Sequence, residues 1–490
     1  MFKDRDPDGG RLPVKLDTTS NGEFEPVPLS RRDLEANYLA HEMAGRHAKR
    51  RGVSRREFMV SACGAASTLL AFNAVHAATR PGGRFEISPD AAVDPDLAAA
   101  ELGKREFIFD VQGHYVNPNG AWLGQVPDGR KPLSGMPKAA CALAEAPGER
   151  SYLECLGPDE FLKDVFMDSD TDMMVLSFVP STREGEPLTI EEAAATREIV
   201  EKMEGTHRLM LHGRVNPNQP GDVEDMDRLA EFGVSAWKTY TQWGPDGKGF
   251  WMTDDAGVAF VEKARKLGVR NICIHKGIPF GEQSYEHSTC ADIGPIAKMF
   301  PDVNFLIYHS GWVPNQAEGP YDPARTDGVD ALVTSLAEAG VGQNANVYAE
   351  LGSTWRFLSL RDPSSAAHAL GKLLKYVGPD NVLWGTDSIW YGSPQDQIQA
   401  FRTFQIAPEL REAHGYPEIT PELRAKVFGL NATVPYGISA EEVLHRAGRD
   451  RVARERAAYA ERPDPSFATH GPETRREFLS LLAWSGGRAV

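Results

Sequence analysis

Eight short apolar runs, separated by longer amphipathic stretches, constrain this 490-residue chain more than any other feature. The runs are FIFDV (107–111), MMVLSFV (173–179), RLMLHGRV (208–215), SAWK (235–238), NICIH (271–275), NFLIYH (304–309), NVYAE (346–350) and VLWGTD (382–387). Runs of this length, with β-branched and aromatic residues, read as strands buried on both faces. Between them lie helical patterns such as DDAGVAFVEKARKLG and PSSAAHALGKLLKYVG, closed by glycine as helices often are. Alternating strands and helices imply a parallel sheet, and eight units predict an α/β fold, a (β/α)8 barrel over residues 105–438. An open doubly wound sheet ranks below it, because no glycine-rich nucleotide loop follows the first strand.

Two segments fall outside the rhythm. Residues 116–170, rich in Gly and Pro, read as an insertion after strand one that caps the barrel, and 439–490 as a polar helical tail. The first 80 residues read as an address. Arg55-Arg56 precede Phe58-Met59 and an uncharged run to Phe72, and Val75-His76-Ala77 offers a cleavage point after Ala77. This pattern resembles a twin-arginine signal, which implies export of the folded chain to the periplasm. The run is too short for a stable membrane span.

Charge and cysteine content narrow the function. With 53 Lys plus Arg against 69 Asp plus Glu, the chain carries −16 and lacks the basic footprint of a nucleic-acid binder. Five cysteines are too few for a disulfide scaffold, although an oxidising destination permits a Cys141–Cys155 bridge. Cys273, inside an apolar run, reads as a buried hydrophobe.

In a barrel, side chains at the carboxyl ends of the strands converge on one mouth. Strand one ends Asp110-Val111-Gln112-Gly113-His114, strand four in Lys238, five in His275, six in His309, seven in Glu350 and eight in Asp387. Imidazoles and a carboxylate from different strands are ligands that Zn²⁺ or Mn²⁺ accepts. His212 lies within a strand and reads as structural. Glu350 also reads as an acceptor behind the site, and Lys238 as a rim lysine.

Taken in order, FIFDVQGHYV, AWKTYT, ICIHKG, LIYHSG, LWGTDS and KVFGLNATVPYGI resemble the amidohydrolase-related family, in its branch of aminocarboxymuconate-semialdehyde decarboxylase-like enzymes. The resemblance implies that His114 and His275 bind a divalent metal, Zn²⁺ first and Mn²⁺ second. It implies that His309 transfers protons or binds the metal, and that Asp387 touches the metal or its water and acts as base. Gln112 stands where the family has His or Glu, and would be a weak neutral ligand. Lys238 would bind substrate, as would Arg356 after strand seven, with Glu350 beside them.

A metal-dependent hydrolase is the first expectation. A non-oxidative decarboxylase of a small, aromatic carboxylate is the second, and an inactive exported binding protein the third. The partners expected are a small-molecule substrate and the export machinery for folded proteins, with a homo-oligomer compatible. Tryptophans near the strand ends, among them Trp243, Trp312 and Trp390, suit an aromatic substrate or simple core packing.

Overall fold

A computed structural model describes residues 12–76, 82–202, 207–278, 284–465 and 471–484 of the chain. The eight runs form β1 (Phe109–Gly113), β2 (Met173–Leu176), β3 (Leu209–Arg214), β4 (Ala236–Tyr240), β5 (Asn271–His275), β6 (Asn304–Tyr308), β7 (Val347–Glu350) and β8 (Val382–Leu383). They lie side by side in chain order, every neighbouring pair parallel. Backbone bonds from Val111 N to Trp384 O (3.1 Å) and from Asp387 N to Gln112 O (3.0 Å) join the last strand to the first. The chain is therefore an α/β (β/α)8 barrel.

Side chains alternate along the strands as their period of two requires. Phe109, Val111, Val175, Ala236, Cys273, Leu306 and Leu383 fill the barrel, with Tyr436 and Ala432 below them. Their neighbours Ile108, Met174, Trp237, Ile274, Ile307 and Ala349 face the surrounding helices. Strands buried on both faces are what the unbroken apolar runs encode.

The additions surround this barrel. Val116, Trp122, Met136, Leu153 and Leu156 of the insertion pack on Trp390 and Tyr391 after β8, and a Cys141–Cys155 disulfide ties the insertion internally. In the tail, Asp450 accepts from buried Arg208 at 2.6 Å, and Arg456 donates to Phe166 O and Thr171 O.

The amino-terminal segment is folded into the molecule. α1 (Arg31–Arg51) starts at a capping box formed by Ser30 and Asp33 and ends at left-handed Gly52. α2 (Arg55–Met59) leads into α3 (Ala62–His76), the uncharged run of the sequence. Ala36, Ala40, Ala44 and Ala48 recur at every fourth position of α1, one stripe of its surface. α3 packs against α1, with Ser67 Oγ 2.9 Å from His47 Nδ1, and its Ala65 and Ala66 are buried. Arg55 donates to His41 O at 3.0 Å, and Arg56 pairs with Asp464 at 2.7 Å. The expected cleavage point after Ala77 lies outside the described residues. Among those described, no helix is long and apolar enough to cross a membrane.

Because Phe72 of α3 is 1% exposed in the same apolar cluster as the barrel helices, it tests whether the segment belongs to the fold. Phe72→Ala should lower stability by about 3–5 kcal/mol, read as an earlier single transition in urea. A loss below about 1 kcal/mol would place α3 outside the cooperative unit.

Candidate active site

Two imidazoles at the mouth are short of a proton. His309 follows β6, and its Nδ1 lies 2.7 Å from Gly352 O. His275 ends β5, and its Nε2 lies 3.1 Å from Ile278 O. A carbonyl only accepts, so each ring proton sits at these outer contacts. The inner contact, His309 Nε2 to His275 Nδ1 at 3.2 Å, then has no proton in it. Burial pushes both rings to lower pKa, His309 to about 4, which opposes a third proton there. A cation satisfies such a contact: two nitrogens bound at about 2.0–2.1 Å to one ion stand about 3.0–3.4 Å apart.

The second pair is His114 and Asp387. His114 Nε2 lies 3.1 Å from Asp387 Oδ1, the Gln112 amide donates to the same oxygen at 3.0 Å, and Ser353 Oγ donates to Oδ2 at 2.5 Å. Burial pushes the Asp387 carboxyl up, but His114, His309 and Ser353 outweigh it and hold the group below its ordinary value. The opposite ring nitrogen, His114 Nδ1, and Gln112 Oε1 have no hydrogen-bond partner among the described residues. The two pairs are in electrostatic contact, since His309 feels both Asp387 and His114. No three His, Cys, Asp or Glu side chains among the described residues stand as a ready-made cage.

Backbone strain gathers here. His309, Ser353 and Asp387, after β6, β7 and β8, have φ of 64°, 55° and 60°. Left-handed backbone costs a non-glycine residue ~1–3 kcal/mol, and such residues cluster at working sites. Asp110 holds the last of these bends, accepting from Thr386 N and Gln112 N at 3.1 and 3.0 Å; burial pushes its carboxyl up to about 7.

Lys238 of β4 is wholly buried and its ammonium has no hydrogen-bond partner among the described residues. It lies 3.8 Å above the Tyr308 ring and 4.7 Å from that of Tyr240. Burial pulls its pKa down to about 8, against Glu350 and Asp387. Trp390 stacks on His114 at 5.2 Å, and Tyr240 tilts against His275 at 4.9 Å.

The structure thus brings His114, Gln112, Lys238, His275, His309 and Asp387 to one mouth. Glu350 sits behind them, accepting from His309 N at 3.0 Å and from Gly352 N. A Cβ on Gly385 would lie 1.6 Å from its Oε1, so glycine there makes room for the carboxylate. Burial pushes Glu350 up to about 8. Arg356 is turned from the mouth, donating to Lys15 O and Asp17 Oδ2 at 3.0 and 3.1 Å. His212 lies deeper in the barrel, beside Cys273 and Tyr436. Sequence reasoning missed Ser353, Tyr391 and Glu23; the first two follow strands seven and eight, where a search by strand end would have found them.

Among curated proteins no match is found. Solved structures of similar shape include the 5-carboxyvanillate decarboxylase of Sphingomonas paucimobilis, at 14% identity and a TM-score of 0.44, covering 68% of this chain and 100% of that one. An uncharacterised TIM-barrel protein of Bordetella bronchiseptica has 14% identity and a TM-score of 0.43, over 70% and 100% of the two chains. The 2,6-dihydroxybenzoate decarboxylase of Rhizobium has 14% identity and a TM-score of 0.38, over 68% and 99%. The family model described as Amidohydrolase matches residues 109–438, two thirds of the sequence and the whole run of barrel strands, and the chain belongs to that family.

Proposed function

We propose that the chain is a metal-dependent carboxy-lyase that releases CO₂ from a small aromatic acid. The observation that carries this reading is Lys238, a buried ammonium with no hydrogen-bond partner among the described residues, facing the His and Asp pairs. A buried charge without a paired anion is costly, and a substrate carboxylate removes that cost. The rings of Tyr240 and Tyr308 beside it, with Trp390 stacked on His114, favour a flat substrate.

His275 and His309 would hold a divalent ion through the nitrogens that carry no proton, with Asp387 and His114 alongside and the Gln112 amide as a weak neutral donor. Burial keeps both rings uncharged, as ligands must be. Zn²⁺ and Mn²⁺ both suit this set, and when bound either polarises a substrate oxygen. Lys238 holds the carboxylate in place. The His114–Asp387 pair shares a proton across 3.1 Å and delivers it to the ring carbon. As the bond to the carboxylate breaks, its electron pair reforms the ring, hydrogen stays on carbon, and CO₂ leaves.

Hydrolysis is the second reading, and Asp387 favours it: His114, His309 and Ser353 hold it as a carboxylate able to take a proton from water. Supplying aromatic acids, lactones and amides while following CO₂ and ¹⁸O uptake from water separates the two. We expect CO₂ without ¹⁸O in the product; ¹⁸O incorporation without CO₂ makes the enzyme a hydrolase.

Metal analysis should find a divalent ion in the purified protein, lost on dialysis against chelator together with activity. His275→Ala and His309→Ala should each lower occupancy; a wild-type protein that binds no ion removes the proposed chemistry. Lys238→Met should lower kcat/KM by about 100-fold, the effect of losing one buried charge partner. A change under about threefold would show that the substrate's acid group binds elsewhere.

A further inference from the structure

After Glu350, the last residue of β7, the chain turns at Gly352 and Ser353 into a short helix, Thr354–Leu358. The turn runs directly against the site: a Cβ on Gly352 would lie 2.2 Å from Gln112 Oε1 and 2.4 Å from Glu350 Oε1. Ser353 has φ 55° and ψ −43°, a conformation that glycine adopts freely and serine only at a cost. The turn has ties that do not use the Ser353 hydroxyl. Thr354 Oγ1 donates to His309 O at 2.9 Å, and Phe357 N donates to Ser353 O at 3.0 Å. What serine adds at a position that suits glycine is one hydroxyl, on a residue with no exposed surface.

That hydroxyl joins a chain. Ser353 Oγ donates to Asp387 Oδ2 at 2.5 Å and lies 3.0 Å from the Tyr391 hydroxyl. A hydroxyl has one proton and this one is given to Asp387, so Tyr391 is the donor at the second contact. Tyr391 is itself held from outside the barrel: Lys15 Nζ donates to its carbonyl at 3.1 Å, and its ring meets Phe357 edge-on at 5.3 Å. With Oδ2 met from this side, Oδ1 is the oxygen turned to Gln112 Nε2 at 3.0 Å and His114 Nε2 at 3.1 Å.

We infer that Ser353 and Tyr391 are positioning residues for the proton-moving step, whose hydrogen bonds fix the rotation of the Asp387 carboxylate so that Oδ1 faces His114. The inference rests on the reading that Asp387 and His114 move the proton. The bond that turns a carboxylate has broad rotational preferences, so its direction is set by what meets its oxygens. A carboxylate turned away from His114 loses the alignment of the pair, and misplacing a reacting group by about 1 Å costs about 100-fold in rate. Binding of an acid at Lys238 and of a metal at His275 and His309 uses other atoms and does not share that loss.

Kinetics and binding on the full chain test this. Turnover is followed on whichever compound of the CO₂ and ¹⁸O assays wild type converts fastest, and Mn²⁺ is titrated separately. Ser353→Gly should lower kcat about 100-fold, move KM and Mn²⁺ affinity by less than about threefold, and unfold in urea no earlier than wild type. Tyr391→Phe keeps the ring and should lower kcat about tenfold. In the Ser353→Gly background it should cost nothing further, because Tyr391 acts through Ser353. Losses that multiply in the double variant overturn the chain. A fall in kcat accompanied by an earlier urea transition and weaker Mn²⁺ binding marks a structural role and overturns it as well. Asp387→Asn separates the two readings. If it is inactive while Ser353→Gly keeps wild-type kcat, the positioning inference alone is overturned. Wild-type kcat in Asp387→Asn, or a wild type that converts no compound, overturns the proton-moving reading and this inference with it.

Discussion

A buried carboxyl braces the seam of the barrel. β8 is two residues long, and backbone bonds from Val111 N to Trp384 O, Asp387 N to Gln112 O and Ile389 N to His114 O carry the seam with β1 past its end. Asp110, inside β1, completes it by accepting from Thr386 N and Gln112 N and from the Thr386 hydroxyl. The bend that follows puts Asp387 at φ 60° with its side chain against Gln112 and His114. The same residue that braces the seam therefore aims the Asp387 carboxylate. His309 and Ser353 repeat the device on β6 and β7, held by Gly352 O, Glu350 and Tyr391. A working geometry is built from bent strand ends around a rigid cylinder, which is where (β/α)8 enzymes carry variation.

Burial then decides what each group at the mouth can be. Desolvation keeps His275 and His309 neutral and so leaves their nitrogens able to bind a cation. It raises Glu350 to about 8, against the backbone N–H bonds from His309 and Gly352, which favour the carboxylate. Asp387 is equally buried yet stays a carboxylate, because His114, His309 and Ser353 all face it. One dielectric environment yields three behaviours because the neighbours differ.

The barrel was legible because unbroken apolar runs and glycine-closed helices are local signals, and each barrel strand overlaps one run. The polar residues ending those runs marked the mouth for the same reason. Arg356 shows the limit. It follows a strand end and carries the right charge, but its direction depends on Asp17, 339 positions earlier, which no local pattern announces. The amino-terminal run shows a different limit: an uncharged stretch of small residues after paired arginines has the composition of an export signal and also that of a helix packing closely on an alanine stripe. Composition alone does not distinguish the two, and α1, which supplies the stripe, is needed to see the second.

The contrast among buried cations separates scaffold from site. Arg208 has Asp450 at 2.6 Å, Arg214 has Asp222 at 2.9 Å, and Lys372 has Glu318 and Asp330 at 2.5 and 2.7 Å. Each meets the rule that a charge removed from water needs a close counter-charge. Lys238 is as deeply buried and has no hydrogen-bond partner among the described residues; the Tyr308 and Tyr240 rings lie beside it, while Cys273, Glu350 and Asp387 act on it electrostatically. Cation–π contact contributes about 2 kcal/mol when desolvated, less than the several kcal/mol that burying an ammonium costs. That difference from Arg208, Arg214 and Lys372 is what singles out Lys238 as the residue on which the proposed binding of an acid rests.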